Sequence, residues 1–214
     1  MKRISLTFMY LAFITILSSC IHEHDCEIEP DPTNNIEDGF TSALETDFIS
    51  QLDPVTKKEI RIRNNLGGSS RFYEEGFIRF NDFTEVKQYV QEATLKLYIR
   101  ANPKPYIFFP NNYTLRISAL QEGWNENTLS HASKPRAQEM ITTTFDADNL
   151  KPGDLYEIDV TEILNDQFTN KKTHHGFSIA LVGNNNNESV AISFYSSDNG
   201  DEALNPALDV VYEW

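Results

Sequence analysis

From about Thr41 onward the chain alternates apolar and polar residues in short runs split by Asn, Gly, Asp and Pro. In "TLKLYIR" Leu95, Leu97 and Ile99 fall on one side and Lys96, Tyr98 and Arg100 on the other. That period of two is the signature of a strand with one buried face. "YTLRISAL" repeats it, setting Tyr113, Leu115 and Ile117 against Thr114, Arg116 and Ser118. "GFSIALVG", "SVAISFYSS" and "ALDVVYEW" contribute Phe177, Ile179 and Leu181, then Val190, Ile192 and Phe194, then Leu208, Val210 and Tyr212. Upstream, "EIRIR" points Ile60 and Ile62 inward, and "GFIRFND" points Phe77 or Ile78, with Phe80. Seven or more such strands predict an all-β fold, an antiparallel β-sandwich of jelly-roll type. One or two short helices interrupt it. In "DVTEILNDQF", Val160, Ile163, Leu164 and Phe168 have helical spacing, with Asp159 or Thr161 as the cap, and this helix is expected to close one end of the sandwich. "FTEVKQYVQ" is the second candidate, through Val86, Tyr89 and Val90. The Asn run at 184–187 reads as a hairpin loop, because Asn tolerates positive φ.

The pattern before Thr41 is of another kind. Lys2 and Arg3 precede an apolar run from Leu6 to Leu17, a positive segment and a hydrophobic one too short to anchor stably across a bilayer. Residues 1–19 are therefore expected to be a signal peptide. The next four positions, Leu17-Ser18-Ser19-Cys20, resemble the bacterial lipobox, which implies diacylation of Cys20 at a mature N-terminus. Two acyl chains at about 0.8 kcal/mol per buried CH₂ hold stably where one does not. Residues 20–40 then form an acidic tether and residues 41–214 the sandwich domain. The acidic residues after Cys20 also resemble the export signal of surface lipoproteins in Bacteroidetes. The expected location is the outer membrane, lipid-anchored and facing the exterior, with the periplasmic face as the alternative.

Charge narrows the choice of partners. The chain carries 18 basic and 32 acidic residues, and removing residues 1–19 takes away only Lys2 and Arg3. So acidic a chain is a poor ligand for nucleic acid, and its contact with a membrane is expected through the lipid alone. Its 214 residues suit one domain of about 170 residues after leader and tether. Both cysteines, Cys20 and Cys26, lie in the leader and tether, and a disulfide framework is excluded once Cys20 is acylated.

Candidate chemistry is sparse. His22, His24, Asp25 and Cys26 are metal-ligating types, yet they sit in a segment ending "PDPTNN" with nothing to fix tetrahedral geometry, so they read as solvated tether. A structural calcium ion is conceivable near "SSDNGDE" or "NDQFTN", but the spacing gives it no support, and Asp198, Asn199, Asp201 and Glu202 read as a solvated turn. No cofactor is expected. No Gly-x-Ser-x-Gly elbow or His-Glu-x-x-His helix occurs, and "LGGSS" lacks the Lys of a phosphate loop. His174 and His175, as neighbours on an extended segment, point to opposite sides. The expectation is a protein that is not an enzyme.

The order of short motifs adds a family. Arg79-Phe80, Trp124-Asn125-Glu126, Asp159-Val160-Thr161, Gly176-Phe177 and Pro206-Ala207-Leu208 follow one another as in the DNRLRE domain family, which the chain resembles over residues 41–214. That family is a β-sandwich related to carbohydrate-binding modules and disaggregatase-associated domains. The string that names it is absent, and its Thr-Val-Thr-Trp strand is replaced by "NTLSHASKP". The resemblance implies a module binding polysaccharide, acidic polymers among the candidates. The alternative partner is an envelope protein or matrix, in a structural or assembly role.

Sugar rings are held by aromatic faces and by planar polar groups. "NPKPYIFFPNNYT" supplies Tyr106, Phe108, Phe109 and Tyr113 among Pro and Asn, with Lys104 and Arg116 as neighbouring cations. These six residues are the expected carbohydrate site, unless the aromatic segment packs over the core instead. A polyanion would need Lys104, Arg71 or Arg116 to gather locally against the overall charge. Trp124 is expected as a core plug beneath its turn.

Overall fold

The computed structural model describes residues 36–44, 59–65, 72–101, 112–146, 150–182 and 189–213. Among them are ten strands: β1 (Ile36–Leu44), β2 (Glu59–Asn65), β3 (Phe72–Phe80), β4 (Val90–Ala101), β5 (Asn112–Leu120), β6 (Ala137–Asp146), β7 (Leu155–Asp159), β8 (Phe177–Val182), β9 (Ser189–Tyr195) and β10 (Ala207–Tyr212). One helix, α1 (Thr161–Thr169), lies between β7 and β8, and two single 3₁₀ turns occupy Ser197–Asn199 and Glu202–Leu204. Every pairing is antiparallel, and the strands bond in the order β10-β4-β9-β2-β3-β8-β5-β6, with β7 also on β4 and β1 also on β3. The expected all-β architecture with a short helix is what forms.

This path curls back on itself between β2 and β3, which share only the pairs Arg63–Glu74, Asn64–Tyr73 and Asn65–Phe72 before they separate. A back layer of β10, β7, β4, β9 and β2 then faces a front layer of β1, β3, β8, β5 and β6. Ile60, Ile62, Leu95, Leu97, Ile99, Ile192 and Phe194 of the back meet Ile78, Phe80, Leu115, Ile117, Phe177 and Ile179 of the front in one fully buried core. Gly76 marks the closest approach of the layers. A Cβ there would lie 2.6 Å from Ile60 Cγ2, well inside contact distance, so only glycine lets β2 settle on β3.

The helix closes one end, as its spacing predicts. Ile163 and Leu164 enter the core, and Asn165 bridges both backbone groups of Val90, accepting from the N–H at 2.8 Å and donating to the carbonyl at 2.9 Å. The first helical N–H, that of Thr161, is taken by Asp159 Oδ1 at 2.9 Å, while the Thr161 hydroxyl accepts from Ala93 N–H. The N-cap position itself is Val160, which has no side-chain cap: Asp159 serves the helix start from one residue earlier, and Thr161, expected as a possible cap, instead ties the helix to β4.

Three expectations change. The segment around Val86 and Tyr89 is irregular, not helical. Its backbone groups bond to distant chain, Thr84 O accepting from His174 N–H and Tyr89 O from Glu213 N–H, which leaves no local ladder to form. The Asn run at 184–187 lies outside the described residues, but it joins β8, held by β3 and β5, to β9, held by β2 and β4. Among the described residues β8 and β9 do not pair with each other. Finally, β1 begins at Ile36, inside the stretch assigned to the tether, and Asp38 is buried there with its carboxylate accepting from Ser197 N–H at 2.7 Å.

Candidate functional site

The front layer is covered twice over only part of its width. Phe77 and Ile78 are adjacent on β3 and both fully buried, so β3 has apolar contacts on both faces. Ile78 belongs to the main core, whereas Phe77 forms a second cluster with Leu120, Trp124 and Leu129 on the outer side. The cover is the loop 121–136, stapled at its base by Gln121 N–H to Arg136 O and by Arg136 N–H to Glu122 Oε1. Within it "NTLSHASKP" folds as turns, Ser130 and Ser133 bonding each other. Trp124 is the plug, tilted against Phe77 at 5.9 Å with Nε1 donating to His175 O at 3.1 Å. Arg79 lies 5.6 Å over the indole and donates to Asn81 Oδ1.

Beyond that loop the outer face is open. Tyr73 on β3 and Arg116 on β5 flank the middle strand β8, and their side chains meet, Arg116 Nη2 donating to the Tyr73 hydroxyl at 3.4 Å. They can meet because the β8 residue paired with Arg116 is Ala180, whose methyl is too small to separate them. Lys134, reaching back from the cover loop, lies 5.8 Å from the Tyr73 ring and bonds Glu75 at 2.8 Å. Glu75 is almost fully buried, and Lys134 is its ion-pair partner there. Burial first, and the Glu75 carboxylate second, push the Tyr73 phenol up to about 12, and it remains a hydroxyl donor at neutral pH. Exposed Thr114, Thr142 and Thr144 and 40 % exposed Val182 extend this floor. A ring, a guanidinium, an ammonium and a row of hydroxyls thus share one flat surface.

At the other end of β5 lies a cleft of about 330 Å³ between α1 and the β5–β6 edge, lined by Gln121, Gln138, Asp166, Lys172 and His175 over Ala119 and Leu120. It owes its shape to the helix terminus. Lys171 adopts φ 52°, its N–H bonding Phe168 O, while Lys172 N–H bonds Gln167 O, a turn that usually takes glycine at the left-handed position. Holding a lysine there costs roughly 1–2 kcal/mol. The result aims Lys172 Nζ back to Asp166 at 2.8 Å and Gln138 at 3.4 Å.

The two histidines diverge as expected, although their segment is not a strand. His174 is buried edge-on between Phe83 and Phe177, its Nδ1 2.8 Å from Gln167 Oε1. Burial, and to a lesser degree neighbouring His175, pull its pKa down to about 3, so the ring is neutral. Among the described residues its Nε2 has no hydrogen-bond partner. His175 instead faces the cleft.

Of the six residues expected from the sequence, the structure describes two. Arg116 stands on the open face, as alternation predicts. Tyr113 is a core residue, 5 % exposed, and its ring is not available for stacking. Lys104, Tyr106, Phe108 and Phe109 lie outside the described residues, as do Cys20, His22, His24, Cys26 and Arg71. The segment 102–111 joins β4 to β5, so it is tied to the end of the face at which Thr114 stands. Tyr73 and Lys134 were not singled out by the sequence, because only the β3–β8–β5 order brings them to Arg116. Asp198, Asn199, Asp201 and Glu202 form the two 3₁₀ turns, with Asp201 capping Ala203 and Asn199 bonding Asn205. Among the described residues no group of three or more His, Cys, Asp or Glu side chains is placed to hold a metal ion.

The fold is an antiparallel sandwich with one short helix, and the class of protein it defines here is a carbohydrate-binding module. It belongs to carbohydrate-binding module family 96, whose model matches residues 56–211. No curated protein matches the chain.

Proposed function

We propose that this protein is a non-catalytic, membrane-tethered module that binds polysaccharide on the open half of its front face. The observation that carries the reading is the Tyr73–Arg116 contact across Ala180, beside Lys134, on the uncovered part of the front face. Sugar packs against the Tyr73 ring and Val182, while Arg116 donates to hydroxyls or to a uronate carboxylate and Lys134, paired with Glu75, donates to hydroxyls. The net charge of −14 opposes a polyanion at long range, so any acidic polymer is held locally through Arg116, since Lys134 is already paired with Glu75. Tyr106, Phe108, Phe109 and Lys104, outside the described residues, stay candidates for further contacts because their segment joins β4 to β5. The motif order supports placement within the DNRLRE-like sandwiches, and the Leu-Ser-Ser-Cys segment supports a lipid on Cys20 that holds the domain at the outer membrane, facing outward.

Affinity electrophoresis of the full chain through gels containing neutral and uronic-acid polysaccharides tests the binding. Retention by at least one polymer, reduced by Tyr73→Phe and abolished by Arg116→Ala, is the expected result. Passage through every gel without delay overturns it and favours an envelope protein as the partner. Mass spectrometry of the mature N-terminus and proteinase treatment of whole cells test the lipid and the outward face.

A further inference from the structure

The cleft beside α1 has a ligand chemistry of its own. Its volume of about 330 Å³ lies at the lower end of the roughly 300–1,000 Å³ typical of small-molecule sites, so it suits one small ring and not a chain segment. Its floor is apolar, Ala119 and Leu120 at the end of β5, and its walls interleave donors and acceptors: Lys172, Gln138, Asp166, Thr173 and His175. Hydroxyl groups donate and accept at once, so a polyol fits such a wall where a simple ion does not. The charges decide the class. Lys172, the one lysine or arginine of the lining, is bound to Asp166 at 2.8 Å and leans on Gln138, so its charge is already matched. An anionic sugar would find no free counter-charge there and would meet the Asp166 carboxylate. Part of the wall is fixed: Gln167 is 2 % exposed and held on His174, and the left-handed turn at Lys171 sets the direction in which Lys172 leaves the backbone. Preorganised donors of this kind lower the ordering cost of binding a small ligand.

We propose that this cleft is a second site, separate from the open face, that takes a single neutral sugar ring such as the terminal residue of a neutral glycan. From the family assignment it takes only that the ligand is a carbohydrate. Leu120 separates the two sites, facing the cleft on one side and the Trp124 cluster on the other.

The test is an NMR titration of the ¹⁵N-labelled full chain with D-glucose, D-galactose, D-mannose and D-xylose, and with D-glucuronate as the charged comparison. One neutral sugar is expected to shift the amides of Gln121, Gln138, Lys172 and His175 saturably, and glucuronate to bind at least about tenfold more weakly. Lys172→Met and Gln138→Leu each weaken the neutral sugar by about tenfold or more, whereas Lys172→Arg, which keeps the donors, retains binding. Unchanged thermal melts show that the variants are folded, and Gln138→Ala replaces the leucine variant where it is not. The proposal fails if no neutral sugar gives saturable shifts in the cleft, if Lys172→Met and the Gln138 variant bind like wild type, or if glucuronate binds as tightly. Arg116→Ala leaves these shifts in place while it removes polymer retention, so either site can fail without the other.

Discussion

The two outer faces of the sandwich solve the problem of exposed charge in different ways. On the back, Arg100 bonds Glu59 at 3.0 Å, Arg61 bonds both Glu59 and buried Glu74, and Lys96 bonds Asp209. These cations are matched along the strands. Such pairs add little stability one by one, but they leave that face closed to new partners. On the front, Arg116 has a phenol for a neighbour, Lys134 has a buried carboxylate below it and an aromatic ring beside it, and the rest of the floor is threonine and valine. The difference teaches where to look for a ligand: the face on which Arg116 bonds a phenol, and not the face on which Arg61, Lys96 and Arg100 each bond a carboxylate.

The largest expected effect lies under the cover of the front face. Trp124→Ala removes the plug and the bond to His175 O, and should lower unfolding free energy by about 3–5 kcal/mol in a denaturant titration. A loss below about 1 kcal/mol would mean that the loop 121–136 is a loose flap and that the two halves of the front face are not distinct.

Acid comes next. The folded pKa of His174, about 3, lies below its unfolded value of 6.5, so the unfolded chain binds more protons in between. This contribution is complete above pH 6.5 and is lost as pH falls toward 3. Asp38 has the opposite sign. Burial raises it from 3.8 to about 7, chiefly against the hydrogen bonds from Ser197, so its share is complete below pH 3.8 and is lost as pH rises through 7. Between about pH 4 and 6.5 the two slopes offset each other. Asp38→Asn should uncover the histidine slope, with chemical melts showing stability that climbs from pH 4 to 6.5. A flat profile in that variant would contradict the buried, neutral His174.

Gly76→Ala sharpens the fit between the layers. The added methyl must displace Ile60, and a loss of about 1–3 kcal/mol is expected by thermal melt. The smallest effect belongs to the back face, where Lys96→Ala should change stability by less than about 1 kcal/mol and leave polymer retention untouched.

Much of the scaffold was legible in the sequence, because period two and the Val160-Ile163-Leu164-Phe168 spacing record burial directly. The choice between Phe77 and Ile78 was posed wrongly as an alternative: both are buried, since β3 is covered on two sides. Trp124 as a plug was the available clue to that second layer. The segment at Val86–Tyr89 misled because its hydrogen bonds go to His174 and Glu213, partners that periodicity does not register. In the site, alternation placed Arg116 outward but also placed Tyr113 inward, which is incompatible with a sugar platform. Tyr73, Lys134 and the cleft depend on strand order and on one left-handed lysine, neither of which leaves a local pattern.

The most direct measurement of the central claim is a paired comparison on one polysaccharide gel, Arg116→Ala against Arg100→Ala, with both variants shown to be folded by thermal melt. The account predicts that Arg116→Ala migrates without delay while Arg100→Ala is retained like wild type. Equal retention of the two, or loss in Arg100→Ala alone, would contradict it.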